Sequence, residues 1–333
     1  MFIGFGDMAQ SYQMRRLTAE AKADIAKLST EVTTGVAADL SDHLRGNMRP
    51  IASIETTLSR LDTYQLRTKE IVLQSQMMQT SLEGIEAGVA DVLQVLTTSV
   101  NFPTDGNLDI SGNEAAAALR SSIQALNISG PNGALFSGVE TGRQPFGDAQ
   151  ALLGYLDSLV ASATDAQALT TDLANFFADP AGFDTLLYQG SDVALAPMQI
   201  SDTQNVTLDA RANRAEIKDT LHGLALAYVA DATSQRFAIS ERADLASAAY
   251  SQLLQSQTPL SEMRADIGRT QETLETAQLA NAAQSTSYQL ARQALIGIDP
   301  YEAATALENQ QTQLETIYAI TARLSRLNLT DFL

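Results

Sequence analysis

The chain has 333 residues, room for about two domains at roughly 150 residues each, so size alone excludes nothing. Asp plus Glu number 39 against 21 Lys plus Arg, and the resulting charge of −18 argues against nucleic-acid binding, which needs clustered cations. There is no cysteine, so disulfides, thiolate metal sites and thiol nucleophiles are excluded.

The histidines are His43 and His222, far apart in sequence, which leaves few ways to assemble a Ser/His/Asp triad or a histidine metal site. The expectation is a chain that is not an enzyme and has no cofactor or metal. The apolar run from Met1 to Phe5 is too short for a signal-peptide core, and no stretch of about 20 apolar residues follows. Export, if it occurs, is expected to proceed without a cleaved signal.

At the front, Gly4-Phe5-Gly6 is half of a dinucleotide fingerprint without its strand or third glycine, and reads as a flexible terminus. Ala21, Ile25, Leu28 and Val32 then recur at helical spacing and stop at Gly35, a helix with a glycine end. Asp39, Asp42 and His43 are too few and too mixed for a metal site and read as a solvated turn with a helix cap.

From Ile51 to Val100, steps of three and four trace a heptad seam through Ile54, Leu58, Leu61, Gln65, Thr68, Val72, Ser75, Gln79, Leu82, Glu86, Val89, Leu93 and Leu96. A helix of that length runs roughly 75 Å. The same pattern returns at Leu260, Met263, Ile267, Thr270, Leu274, Ala277, Asn281, Gln284, Tyr288, Ala291, Leu295 and Ile298. Matching lengths predict antiparallel pairing. Polar seam residues such as Gln65, Gln79, Glu86 and Asn281 weaken an isolated pair but restrict its register.

Between these helices the periodicity shortens and turns appear at 101–107 and at Gly130-Pro131-Asn132-Gly133. Helices are predicted from an Asn113 cap to Asn127, from Asp148 to Val160, from a Thr164 cap to just before Asp179-Pro180-Ala181-Gly182, and over 215–229. Short strands are predicted at 134–137, 186–189, 193–200 and 205–208, the third on an edge because of Pro197. Beyond a break at 297–300, Ala303, Leu307, Gln310, Leu314, Ile317, Thr321 and Leu324 form a last amphipathic helix, with Ile320 and Leu327 widening its stripe.

The expected fold is mainly α with an α+β insertion: an elongated antiparallel coiled-coil rod of N- and C-terminal helices carrying a small mixed outer domain. Its parts are an N-terminal assembly helix and loop (1–45), a rod helix (46–100), the outer domain (101–250), a second rod helix (251–298) and a C-terminal assembly helix (299–333).

The ending Asp299-Pro300-Tyr301-Glu302-Ala303-Ala304-Thr305, Gln310-Gln311-Thr312-Gln313-Leu314-Glu315, Thr321-Ala322-Arg323-Leu324-Ser325-Arg326-Leu327-Asn328-Leu329 and Asp331-Phe332-Leu333 resembles that of the flagellin superfamily of bacterial axial proteins. Within it, the FlgL-type branch of hook-associated proteins at the hook–filament junction is the one it looks like. Met263 to Leu274, Ala134-Leu135-Phe136-Ser137-Gly138 with Pro145-Phe146, and Leu28 to Gly35 are similar as well. Val36 and the run Asp39-Leu40-Ser41-Asp42-His43 depart from the family's loop.

The resemblance implies a secreted structural subunit of the bacterial flagellum, exported through the type III channel. It implies a ring of self-associated copies between a neighbouring hook-associated protein and flagellin, and a cytoplasmic export chaperone before secretion. The assembly and chaperone surface would be Ile25, Leu28, Val32, Leu307, Leu314, Ile317, Ile320, Leu324, Leu327, Leu329, Phe332 and Leu333. No nucleic-acid or membrane partner is expected. The competing expectation is a flagellin that polymerises by itself.

Overall fold

Long uninterrupted stripes of apolar and small residues, with few internal breakers, commit most of this chain to helix. The computed structural model describes the backbone of residues 5–330 and the side-chain environments of residues 9–323. In chain order it contains α1 (Phe5–Thr34), α2 (Leu40–His43), α3 (Arg49–Asn101), α4 (Asp105–Leu126), β1 (Ser129–Gly130), β2 (Gly133–Ala134), α5 (Ala149–Ser162) and α6 (Ala166–Ala178). A π-helical turn (Pro180–Asp184) follows, then β3 (Met198–Gln199), β4 (Asn205–Val206), α7 (Ala215–Ala232), α8 (Ile239–Ile296) and α9 (Pro300–Thr330). The strands form two antiparallel pairs, β1 with β2 and β3 with β4. The fold is mainly α with small antiparallel ladders.

The heptad reading of α3 holds along its length: every seam position from Ile51 to Val100 is buried or half-buried. On α8 the seam is followed except at Gln284 and Ala291, which are exposed. The chain divides into two compact units, 1–62 with 282–333, and 63–281.

In the second unit, α3 and α8 run antiparallel, and their polar seam residues set the alignment. Gln79 Nε2 donates to the carbonyl of Arg264 at 2.7 Å, and Arg264 Nε donates back to Gln79 Oε1 at 3.2 Å. Glu86 accepts from the Ser261 hydroxyl at 3.1 Å and pairs with the Arg264 guanidinium. Sliding either helix by a turn would strip these half-buried groups of their partners, the register control expected of polar residues in such a seam.

Helix α4 begins earlier than the Asn113 cap predicted, because Thr104 caps it by accepting from the backbone N–H of Asn107. Glycine inside α4 has a packing reason. A Cβ at Gly112 would lie 2.1 Å from Cβ of Asp231 on α7, so only glycine lets the two helices close on each other here. Asp148 opens α5 as predicted. The cap of α6 is Asp165 and not Thr164; its carboxylate accepts from Ala168 N–H, and Thr164 donates its hydroxyl to Asp165. The predicted strands shrink to two-residue pairs: Ser129 opposite Ala134 and Gly130 opposite Gly133, Met198 opposite Val206 and Gln199 opposite Asn205. Tyr188 makes only an isolated bridge to Phe146. Side-chain packing takes over from the missing ladders, with Phe146, Phe176, Phe177 and Phe183 in edge and tilted contacts 5.1–6.1 Å apart. Asn127 pins the loop beneath them, accepting from Phe146 N–H at 3.0 Å and donating to the Gly147 carbonyl at 3.3 Å.

Two ionisable groups in this unit respond oppositely to acid. His222 on α7 stacks on Phe177 at 5.3 Å, its Nε2 is buried without a partner among the described residues, and burial lowers its pKa to about 4. Asp231 is raised to about 6, first by desolvation and then by a hydrogen bond and charge from Asp109, with Arg242 opposing. Between pH 6.5 and 4 the unfolded state takes up a proton at His222 that the folded state refuses, so stability falls as pH drops through that window. At Asp231 the folded state holds the extra proton, which adds stability below pH 3.8 that is lost as pH rises through 6. His222→Leu is therefore expected to gain about 2 kcal/mol relative to the parent between pH 7 and pH 5, read from urea unfolding at the two pH values. Parallel pH profiles for parent and variant would refute the assignment.

Candidate assembly interface

Helices α1 and α9 pack on each other in the first unit. Their direction is antiparallel, with Val36 bridged to Gly297 and, further along, Lys22 Nζ 5.9 Å from the centre of the Tyr318 ring. Among the described residues of the two helices, four are buried: Ala21, Glu31, Ala303 and Ile317. Ile25, Leu28, Val32, Leu307 and Leu314 are half-buried. Ile320 is 41% exposed, and Tyr12, Leu17, Tyr301 and Tyr318 also stand in solvent.

Ile317, expected on the free surface, is thus inside the pair, because one turn of α9 must face α1 for the two helices to touch. Leu324, Leu327 and Leu329 lie in α9, but their side chains, together with Phe332 and Leu333, fall outside the described residues. The Lys22–Tyr318 contact is one that periodicity did not single out; a lysine on one terminal stripe and a tyrosine on the other are its only trace in the sequence. Such a contact is worth about 0.5–1 kcal/mol at an exposed site.

The magnitudes show how incomplete this pair is. Ordering one residue's backbone costs about 1–2 kcal/mol, whereas a fully buried aliphatic side chain returns about 1.5–3 kcal/mol. With Ala21, Glu31, Ala303 and Ile317 buried and Ile25, Leu28, Val32, Leu307 and Leu314 still partly in solvent, the pair recovers only part of that return.

The breaks flanking the pair are locked together. Gly35, at φ +67°, ends α1, and the next residues meet the α8–α9 connection: Ala37 N–H donates to the Ile296 carbonyl at 2.9 Å and Ile298 N–H to the Gly35 carbonyl at 3.2 Å. Glu31 accepts from Ala38 N–H at 3.0 Å, which satisfies a carboxylate otherwise stranded near a helix C-terminus. Ile296 is 1% exposed. Asp39 caps α2 through the N–H groups of Ser41 and Asp42, as the helix-cap reading of that turn has it, and His43 is exposed. Arg292 pairs with Glu55 at 2.8 Å between α8 and α3. No group of metal-binding side chains occurs among the described residues, and none of their helices is long and apolar enough to cross a membrane.

Three comparisons bear on this arrangement. Residues 251–333, which span most of α8 and all of α9, match the family described as the bacterial flagellin C-terminal helical region. No curated protein sequence matches the chain. Among solved structures, the crystal structure of Bacillus cereus FlgL superposes with a TM-score of 0.50 at 13% identity, covering 72% of this chain and 98% of that one. A flagellar hook-associated protein structure from Vibrio parahaemolyticus gives 0.48 at 11% identity, covering 73% of this chain and 94% of that one. At 13% identity the likeness to the Bacillus protein is one of fold.

Proposed function

We propose that this chain, flagellin-like in its C-terminal region and FlgL-like in fold, is a structural hook-associated protein of the bacterial flagellum, joining hook to filament. The observation that carries the reading is the coincidence of the flagellin-type segment, residues 251–333, with the helix that pairs with α1 and leaves part of its own apolar stripe, Ile320 above all, in solvent. Further copies of the same helices complete that burial in a ring, so the ordering of α1 and α9 is coupled to assembly. Neighbouring hook-associated protein and flagellin lie on either side of the ring, outside the cell. Before export, a cytoplasmic chaperone covers the same stripe by helix-in-groove packing.

The test is sedimentation of the full-length chain, alone and with hook ends stripped of filament, with circular dichroism of each state. The expected result is a monomer alone, helix gained on joining the hook end, and flagellin adding only afterwards. Long filaments formed by the chain unaided would make it a flagellin instead.

A further inference from the structure

We infer that Asn132 is a self-modifying site, where the chain converts its own asparagine to isoaspartate at the tip of the β1–β2 hairpin; this is independent of the flagellar reading. The fold itself builds the reactive pair. Gly133 has φ +105°, and a Cβ there would sit 2.2 Å from the Thr141 carbonyl oxygen, so glycine is the residue this turn accepts. That forces an unhindered backbone nitrogen to follow Asn132. No other asparagine in the sequence precedes a glycine.

Asn132 is exposed, and its carboxamide has no hydrogen bond among the described residues. Several other asparagines are better protected. Asn127 is tied at both ends of its amide, Asn281 is 3% exposed and donates to the Ile200 carbonyl, and Asn101, Asn107 and Asn113 donate to backbone carbonyls. The ladder that holds Gly133 has two residue pairs, Gly130 opposite Gly133 being the outer one, so local opening at the tip is cheap.

The chemistry is balanced without a co-reactant beyond water. The Gly133 backbone nitrogen gives up its proton and attacks Cγ of Asn132. The new C–N bond closes a five-membered succinimide, the Cγ–Nδ2 bond breaks, and ammonia leaves carrying the proton. Water then adds to one of the two imide carbonyls. Opening at one restores a main chain with aspartate; opening at the other routes the main chain through Cγ and gives isoaspartate. No atom changes oxidation state.

The isoaspartate product lengthens the main chain by one carbon just ahead of a clamped segment. Ala134 N–H donates to the Thr141 carbonyl at 2.8 Å, and Leu135 and Phe136 are buried directly afterwards. The hairpin register and the placement of Phe136 cannot both survive the insertion, so conversion loosens this corner of the core.

The experiment incubates the full-length chain at pH 8 and at pH 5, maps every asparagine by peptide mass, counts isoaspartate with an isoaspartyl methyltransferase and records melting curves. At pH 8, Asn132 is expected to convert roughly tenfold faster than the exposed Asn205, whose neighbour is Val206, with slower conversion at pH 5 and a lower melting temperature in the converted fraction. Asn132→Gln removes the bulk of the isoaspartate signal while keeping the parent melting curve. Conversion at Asn132 no faster than at Asn205, or an isoaspartate yield unchanged in Asn132→Gln, overturns the proposal.

Discussion

Truncation after Gln313 is expected to abolish incorporation at the hook end while leaving the unfolding transition of residues 63–281 unchanged. The deletion removes Leu314 and Ile317, the latter the one large aliphatic side chain buried in the α1–α9 pair among the described residues, and the Tyr318 ring that receives Lys22. What remains of α9 cannot fix α1, because nucleating and holding an isolated helix without a buried face is unfavourable in water. The aromatic and leucine core of 63–281 uses none of the deleted residues. Co-sedimentation with hook ends and a thermal melt followed at 222 nm read the two halves of the claim. A full-length Ile317→Asp chain separates loss of the stripe from loss of length, and is expected to incorporate as poorly as the truncation. A truncated chain that still supported filament growth would remove the terminal helices from the proposed interface.

Arg242→Met carries the largest expected loss of stability, about 2–3 kcal/mol: the carboxylates of Asp105 and Asp109 are 70% and 53% exposed and stay solvated, so the loss comes from the stranded Ala230 carbonyl and the half-buried Asp231. Arg242 is 1% exposed. Its Nε donates to the Ala230 carbonyl at 2.8 Å, and its guanidinium pairs with Asp105, with Asp109 at 3.3 Å and with Asp231 at 3.6 Å. This one cation ties the start of α4, the end of α7 and the start of α8. Methionine fills much of the volume but leaves the carboxylates facing each other and the Ala230 carbonyl without its donor. Arg242 opposes the rise of Asp231, so its removal pushes that carboxyl higher still, and the deficit should shrink between pH 7 and pH 5 as Asp231 takes up its proton. Asp231→Asn in the Arg242→Met background is expected to recover part of the loss. A deficit under about 1 kcal/mol in guanidinium unfolding, or one unaltered by pH, would contradict a buried-charge origin.

How far the sequence revealed this architecture depends on the range of the interactions involved. The helices α3, α8 and α9 were legible because their stripes repeat over many turns, and the register-setting roles of Gln79 and Glu86 followed from polar residues standing in an apolar seam. The start of α4 was not legible: Gly106 belongs to a run that reads as a turn, and Gly112 looks like a breaker until α7 is known to approach within reach of a Cβ. The predicted strands failed for a related reason, since Val193 and Leu186 have strand-like composition yet stand exposed, the first in a loop and the second in the helical turn that follows Pro180–Asp184. Of the interface, the stripe from Ile25 to Val32 and from Leu307 to Ile320 was readable from spacing. The inward turn of Ile317 and the bond of Glu31 to Ala38 N–H depend on where the second helix lies, and no local pattern encodes that.

The paired breaks at the base of α1 and α9 also have a mechanical meaning. The link from α8 to α9 is residues 297–299, whereas α1 reaches α3 through 35–48 with α2 inside it. At about 3.3–3.6 Å per extended residue, the first link can reach roughly 10 Å at most and the second several times that length. Two joints bonded to each other but unequal in slack behave as a pivot beside a coil of spare rope. Any turn of the terminal pair about the short link would have to be shared by both helices, because the Ala37–Ile296 and Ile298–Gly35 bonds tie the two connections together.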